Sequence, residues 1–423
     1  MDTATLSLII FIATIVLFII DKLPMATTAV LGCTVMVLSG VSDFRTAFGQ
    51  FSSATVILTI GVMIIGESIS ETGLADLIGN WIVKVSKGSE KKLIVAAYFA
   101  SCCMSAFLTN SAVLAIFMPI VIGIGRSNKA IKPRNIIMPI AYGCVLGGAS
   151  TLVGSTQQMT AQGLLEETGN RVFRTFDFTP VVGIIIILGG IYCLTIGYSI
   201  GQKIWGNRPD ETDEFKSTHV AVEANKPKMI IMTLIFTATV VLYITEWIPL
   251  AITSTSAALL CIITGCISQK KAIFSVDWNI VGRLAASLGL AKALESAGGT
   301  ALITEIFKYV VGENISPLLL FCIVVFLVQM TSNFMSNSTA ILIVLPIIIA
   351  IAPEMGLNTY AYALGITIGA GVPLICPLAS STLGMSMSAG YKFNDYFKYS
   401  IIFELISYFT IIILVPMFYR LTA

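Results

Sequence analysis

The stretch Met104-Ser-Ala-Phe-Leu-Thr-Asn-Ser-Ala-Val-Leu-Ala-Ile-Phe-Met-Pro-Ile120 returns 227 residues later as Thr331-Ser-Asn-Phe-Met-Ser-Asn-Ser-Thr-Ala-Ile-Leu-Ile-Val-Leu-Pro-Ile347. Identities fall at Ser105/Ser332, Phe107/Phe334, Asn110/Asn337, Ser111/Ser338, Ile116/Ile343, Pro119/Pro346 and Ile120/Ile347. Two weaker pairs keep nearly the same offset: 152–156 against 377–381, at 225, and Phe51-Ser52 against Phe274-Ser275, at 223. A near-constant offset along both halves argues for a duplicated chain rather than chance likeness of apolar runs.

Working outward, the 423 residues are 56% hydrophobic and 11% charged, with a mean hydropathy of +0.91. Soluble domains carry about 25% charged residues, so composition places the chain in the membrane class. A net charge of +2 offers no nucleic-acid surface. Many apolar runs reach the roughly 20 residues that a helix needs to span a hydrocarbon core. The first, Leu6 to Ile20, lacks a basic start and a small-residue cleavage site and reads as an uncleaved helix. One polar linker, 201–227, separates a first repeat (1–200) from a second (228–423). In the first, a hairpin is expected around 93–124 and a broken helix around 136–163; in the second, around 317–351 and 361–389. Duplicated halves of this kind mark secondary transporters.

Inside these apolar runs sit Ser105, Thr109, Asn110 and Ser111, and again Ser332, Asn333, Ser336, Asn337, Ser338 and Thr339. In lipid, polar side chains and unwound backbone must be satisfied internally or line a cavity. One such cluster reads equally as hydrogen-bonding glue between helices; two at a fixed offset point to re-entrant hairpins breaking at Thr109-Asn110-Ser111 and Ser336-Asn337-Ser338. Gly147 to Gln158 and Gly369 to Thr382 follow them, dense in glycine or proline and then in hydroxyls and amides. Such stretches interrupt a helix and read as second discontinuous elements beside the hairpin tips.

The paired triplets resemble the Ser-Asn-Thr signatures of the divalent anion–sodium symporter family, carriers of dicarboxylates, citrate or sulfate. A serine ahead of each triplet, Pro-Ile eight residues beyond Ser111 and Ser338, and the later glycine-rich break fit the same pattern. The resemblance implies an all-α polytopic membrane protein of two inverted repeats, each with a re-entrant hairpin and a broken transmembrane helix, in a homodimer working by an elevator-like step. It implies substrate contacts from Thr109, Asn110, Ser111, Ser155, Ser336, Asn337, Ser338 and Ser380. One sodium ion (Na+) would lie near Ser105, Thr109, Asn110 and the Gly154 carbonyl. A second would lie near Ser332, Asn337 and the carbonyls of Met335 and Ala379. The triplets here read Thr-Asn-Ser and Ser-Asn-Ser, and the family's Thr-Pro-Pro-type segments become Ser155-Thr-Gln-Gln158 and Ser380-Ser-Thr382.

The expected function is transport of a small divalent anion, a C4-dicarboxylate first, coupled to sodium across a multi-pass bacterial plasma membrane. No lysine, arginine or histidine occurs in either triplet or break, a buried dianion needs positive compensation, and hydroxyl and carbonyl oxygens suit a hard cation. A sodium-independent exchanger is the alternative, with Arg283 as compensating charge or else as a pairing or snorkelling arginine. A cation–proton antiporter or metalloid efflux carrier would want a central aspartate, whereas Asp76 and Asp277 flank spans. Glu67, Glu71, Lys292 and Glu295 read as interface charges or structural ion pairs. An enzyme is disfavoured: the single histidine, His219, lies in the linker, no catalytic motif is present, and most of the nine cysteines sit in apolar runs as inert thiols.

Overall fold

A computed structural model describes residues 2–20, 22–74, 89–127, 131–206, 208, 226–311, 315–377 and 380–422. Asp76, His219 and Ala379 lie outside the described residues, as does most of the polar linker. The elements are helical throughout. The first half holds α1 (Thr3–Ile20), α2 (Met25–Leu38), α3 (Phe44–Phe48), α4 (Ala54–Glu71), α5 (Glu90–Ser105), α6 (Asn110–Ser127), α7 (Pro133–Ala149), α8 (Thr156–Glu167), α9 (Thr179–Leu194) and α10 (Ile196–Trp205). The second holds α11 (Lys226–Thr245), α12 (Leu250–Ile263), α13 (Gln269–Ser275), α14 (Trp278–Ser296), α15 (Gly299–Val311), α16 (Pro317–Ser332), α17 (Asn337–Ile351), α18 (Thr359–Gly371), α19 (Ser381–Ser386) and α20 (Phe393–Phe418).

The duplication is visible in the backbone. Pro24 and Pro249 cap the starts of α2 and α12, and Asp43 and Ser268 cap α3 and α13 through side-chain bonds to Thr46 N and Lys271 N. Gly40 and Gly265 follow the short helices at φ 71° and 72°, and Gly73 and Gly298 follow the next long ones at 77° and 82°. A left-handed residue just past a helix end is where glycine costs least, so the same punctuation recurs at the same place in each half.

Length sorts the helices. Among the described residues, Thr3–Ile20, Phe44–Glu71, Lys226–Thr245 and Phe393–Phe418 are long and apolar enough to cross a membrane, and α9 with α10, bent by 47° relative to each other, is a fifth if the pair is one span. The bend falls at Thr195, between two apolar helices that the sequence joins without a charged or proline break. Isoleucines such as Ile12 and Ile19 on α1 and Ile230 and Ile244 on α11 face outward, as lipid-facing residues do. By contrast α5, α16 and α17 have 16, 16 and 15 residues, about 22–24 Å at 1.5 Å per residue and short of the roughly 30 Å core, and the apolar part of α6 is Asn110–Gly125; these lengths suit arms of re-entrant hairpins with tips at 106–109 and 333–336.

The two broken helices form the centre. Every residue of α7 is buried, as is every residue of α18 from Tyr360 to Gly371, the signature of a helix apolar on all sides. Each lies against the first arm of its own hairpin through glycine. A methyl built on Gly147 would stand 2.2 Å from the Cys102 carbonyl oxygen, and one on Gly365 would stand 2.4 Å from the Phe321 ring. Around this centre the halves interlock: α2 packs on α14, and α4 packs on α12. At Gly289 on α14, a methyl would come within 1.9 Å of the Ala47 carbonyl oxygen. That neighbour is backbone and cannot yield, so Gly289→Ala lowers stability by about 2–4 kcal/mol, read as a fall in melting temperature of the purified protein.

Several polar residues turn out to be structural. The linker's first residues are still helix, because Trp205 is buried and its Nε1 donates to Asn135 Oδ1 at 2.9 Å. Arg208 holds Asp395 through two bonds, at 2.5 and 2.9 Å. Asp277 caps α14, accepting from Asn279 N and Ile280 N. Glu71 pairs with Lys271 at 2.6 Å, and Glu295 with Lys292 at 3.1 Å, which is the role expected for these charges.

Candidate substrate and cation site

Each hairpin tip closes on itself through the same pair. Ser105 Oγ donates to Asn110 Oδ1 at 2.7 Å, and Ser332 Oγ donates to Asn337 Oδ1 at 3.0 Å. Both span the tip loop from the last residue of one arm to the first of the next. Asn110 Nδ2 also donates to Ser155 Oγ at 3.4 Å, while Ser332 Oγ reaches the Ala370 carbonyl at 2.8 Å. Each tip thus meets the break of its own repeat. In the first break, Thr151 Oγ1 donates to the Ala106 carbonyl at 2.5 Å and accepts from Gly154 N at 3.2 Å. A methyl on Gly154 would stand 2.6 Å from the Gly148 carbonyl. Glycine is required there because two stretches of backbone touch.

Each tip also meets the break of the other repeat. Ser111 Oγ lies 2.8 Å from Ser381 Oγ and 3.3 Å from Thr382 Oγ1. Ser338 Oγ lies 3.3 Å from Thr156 Oγ1. Thr156 and Ser381 are themselves equivalent by the 225-residue offset, so the two contacts are one contact made twice. The first turns of α6 and α19, and of α17 and α8, therefore face one another. Partial positive charge at helix N-termini favours an anion there, with hydroxyls ready to donate.

Of the residues expected at the site, Ser105, Asn110 and Ser155 are brought together, as are Ser332 and Asn337. Ser336 caps α17, accepting from Thr339 N at 3.3 Å, and Ser380 caps α19, accepting from Thr382 N at 3.3 Å. Thr109 is exposed at the first tip, and Met335 is half-buried at the second. Ala379 lies outside the described residues. Oxygens from serine, asparagine and free carbonyls are the donor set that a hard cation prefers, so this chemistry fits sodium at both tips.

Two charged residues stand close. Arg283 Nη1 donates to Ser336 Oγ at 3.3 Å and touches Met25 Sδ at 3.3 Å, which puts a guanidinium at the second tip. Near the corresponding place in α4, Thr59 bonds instead to the Thr55 carbonyl and to Met159. Glu404, in the middle of α20, is 1% exposed and accepts from Asn333 Nδ2 at 2.7 Å and Leu374 N at 3.0 Å. The sequence reading passed over it, although a lone carboxylate within the apolar run 399–417 is a signal in its own right. It also passed over the cross-repeat roles of Thr156, Ser381 and Thr382.

The sequence matches the citrate transporter family over residues 15–420. The chain belongs to the citrate transporter family. The uncharacterized transporter YfbS of Escherichia coli is 29% identical over 186 residues, 44% of this chain and 30% of that protein; the match thus spans less than a third of that relative. The sodium-dependent dicarboxylate transporter SdcS of Staphylococcus aureus is 21% identical over 385 residues, covering 81% of this chain and 71% of SdcS. Among solved structures, the YdaH transporter of Alcanivorax borkumensis superposes with a TM-score of 0.62 at 13% identity, over 91% of this chain and 88% of that one. MtrF of Neisseria gonorrhoeae gives 0.65 at 12% identity, over 100% and 96%. These likenesses concern the fold. Family membership places the chain among membrane transporters rather than enzymes.

Proposed function

We propose that the protein is a sodium-coupled symporter of a C4-dicarboxylate, working as a homodimer of inverted repeats in a bacterial plasma membrane. The observation that carries this reading is the doubled contact of each hairpin tip with the opposite break, Ser111 with Ser381 and Ser338 with Thr156. Hydroxyls and helix N-termini from both repeats meet there, which suits a ligand with an acceptor group at each end. Substrate contacts come from Thr109, Asn110, Ser111, Ser155, Ser336, Asn337, Ser338 and Ser380. Sodium is held behind each tip by Ser105, Thr109, Asn110 and the Gly154 carbonyl, and by Ser332, Asn337 and the Met335 carbonyl, the remaining expected ligand, Ala379, lying outside the described residues. A cation at each tip separates Ser105 from Asn110 and Ser332 from Asn337, turning all four oxygens inward, so ion binding shapes the anion site. The interlocked α2–α14 and α4–α12 pairs serve as scaffold, and the hairpins with α7 and α18 move against them. The name of SdcS supports both the substrate class and the coupling.

The test is uptake of radiolabelled succinate into proteoliposomes under an inward sodium gradient, with potassium as the control. Saturable uptake that needs sodium is the expected result, and indifference to sodium sinks the coupling. One observation favours a second reading. The guanidinium of Arg283 at Ser336 provides a fixed positive charge that a sodium-independent exchanger needs, and that reading expects uptake only into liposomes preloaded with dicarboxylate.

A further inference from the structure

We propose that Glu404 supplies a fixed negative charge to the cation site at the second hairpin tip, so that the two cation sites of this transporter are chemically unequal. The inference rests on the sodium-symport reading above. Glu404 is buried at the midpoint of a 26-residue apolar helix. Both its oxygens accept hydrogen bonds from N–H donors, Asn333 Nδ2 on one and Leu374 N on the other. That arrangement suits an ionised carboxylate, which only accepts, whereas a protonated one also needs an acceptor for its O–H. No ion pair among the described residues includes Glu404. A bare charge at this depth is costly, and two neutral donors do not cancel it.

The compensating charge has a place close by. Asn333, which holds Glu404, directly follows Ser332, and its Oδ1 accepts from Ile375 N at 3.0 Å in the unwound segment. One turn earlier on α16, Gln329 Nε2 donates to Ser407 Oγ at 2.9 Å and to the Glu404 carbonyl at 3.3 Å. Its Oε1 is buried with no partner. A carboxylate and an orphaned carbonyl oxygen are thus tied to the end of α16 that carries Ser332, one at the next residue, Asn333, and the other one turn before it, on Gln329, and an excess of buried acceptors calls for a cation. Among the described residues the first tip has no such backing. Asn333 corresponds there to Ala106, whose carbonyl is taken by Thr151, so the first site consists of neutral oxygens.

Two measurements on the purified full-length protein test this: melting temperature against sodium concentration, and sodium dependence of succinate uptake. In Glu404→Gln the sodium concentration for half-maximal stabilisation rises about tenfold or more, as expected for loss of a unit charge within several ångströms, and the cooperativity of uptake in sodium falls. Without sodium the same variant sheds the uncompensated charge but leaves Asn333 Nδ2 or Leu374 N without an acceptor, since an amide nitrogen does not accept, so its melting temperature serves only to show that it is folded. Glu404→Asp keeps the charge and stays close to wild type in its response to sodium. The proposal is overturned if Glu404→Gln keeps the wild-type sodium response. It is also overturned if a folded Glu404→Asp shows no response to sodium, since the carboxylate then only ties down the unwound segment. A wild-type protein that sodium neither stabilises nor drives would sink the symport reading and this inference with it.

Discussion

Replacing Asn110 with alanine abolishes uptake in a protein that still folds, and Asn337→Ala does the same. Asn110 is the first residue of α6 and the acceptor for Ser105, and its Nδ2 reaches Ser155 across the break. Alanine removes an oxygen offered to the cation and a donor offered to the break together. Hydrogen bonds to charged partners contribute about 1.5–3 kcal/mol each, so losing two lowers transport by roughly 100-fold or more. The cost to stability is smaller, because both asparagines are half-buried and the truncation opens onto a polar site; about 1 kcal/mol is the usual scale for such a change. Initial uptake rates, compared with the melting curve of the same preparation, separate the two effects. Normal transport by both variants would remove the hairpin tips from the site.

Gly148→Ala has an effect of similar size for a steric reason. A methyl there would stand 2.2 Å from Asn110 Oδ1 and 2.3 Å from Ser155 Oγ. The helix carrying Gly148 is buried along its whole length and cannot retreat, so the two side chains give way. Those two side chains are the ones that join the first tip to its break. Alanine is the better helix former by about 1 kcal/mol, which offsets part of the crowding. Uptake therefore falls about 100-fold while the melting temperature changes little, on the basis that a displacement of about 1 Å costs that much at a geometrically demanding site. Gly183→Ala is the control, since nothing lies within 4 Å of a methyl there; it transports normally. Wild-type uptake in Gly148→Ala would mean that the Asn110–Ser155 junction has no part in transport.

The hairpins and breaks were legible because their signals are local. A serine or asparagine inside an apolar run stands out without reference to the rest of the chain, and the second copy removes the ambiguity of the first. The Ser105–Asn110 and Ser332–Asn337 pairs could be anticipated because each spans five residues. Contacts between the halves could not. Ser111 and Ser381 are 270 residues apart, and the offset that reveals the duplication says nothing about how the copies pack.

The same boundary separates the charged residues. Arg283 and Glu404 are each visible as ionisable residues in apolar runs. Only packing brings Arg283 to Ser336 and aims Glu404 at Asn333 and Leu374. The amino-acid sequence determined by itself that the chain lies in a membrane, that it is doubled, and that each half carries polar clusters inside its apolar runs, because lipid penalises every unpaired polar group where it occurs; it did not show the bend at Thr195, nor that the tips fall at 106–109 and 333–336, just ahead of the two asparagines. The tertiary structure decided which interruptions face one another and which charge stands behind each, because burial and hydrogen bonding across long chain separations depend on how the helices close around α7 and α18.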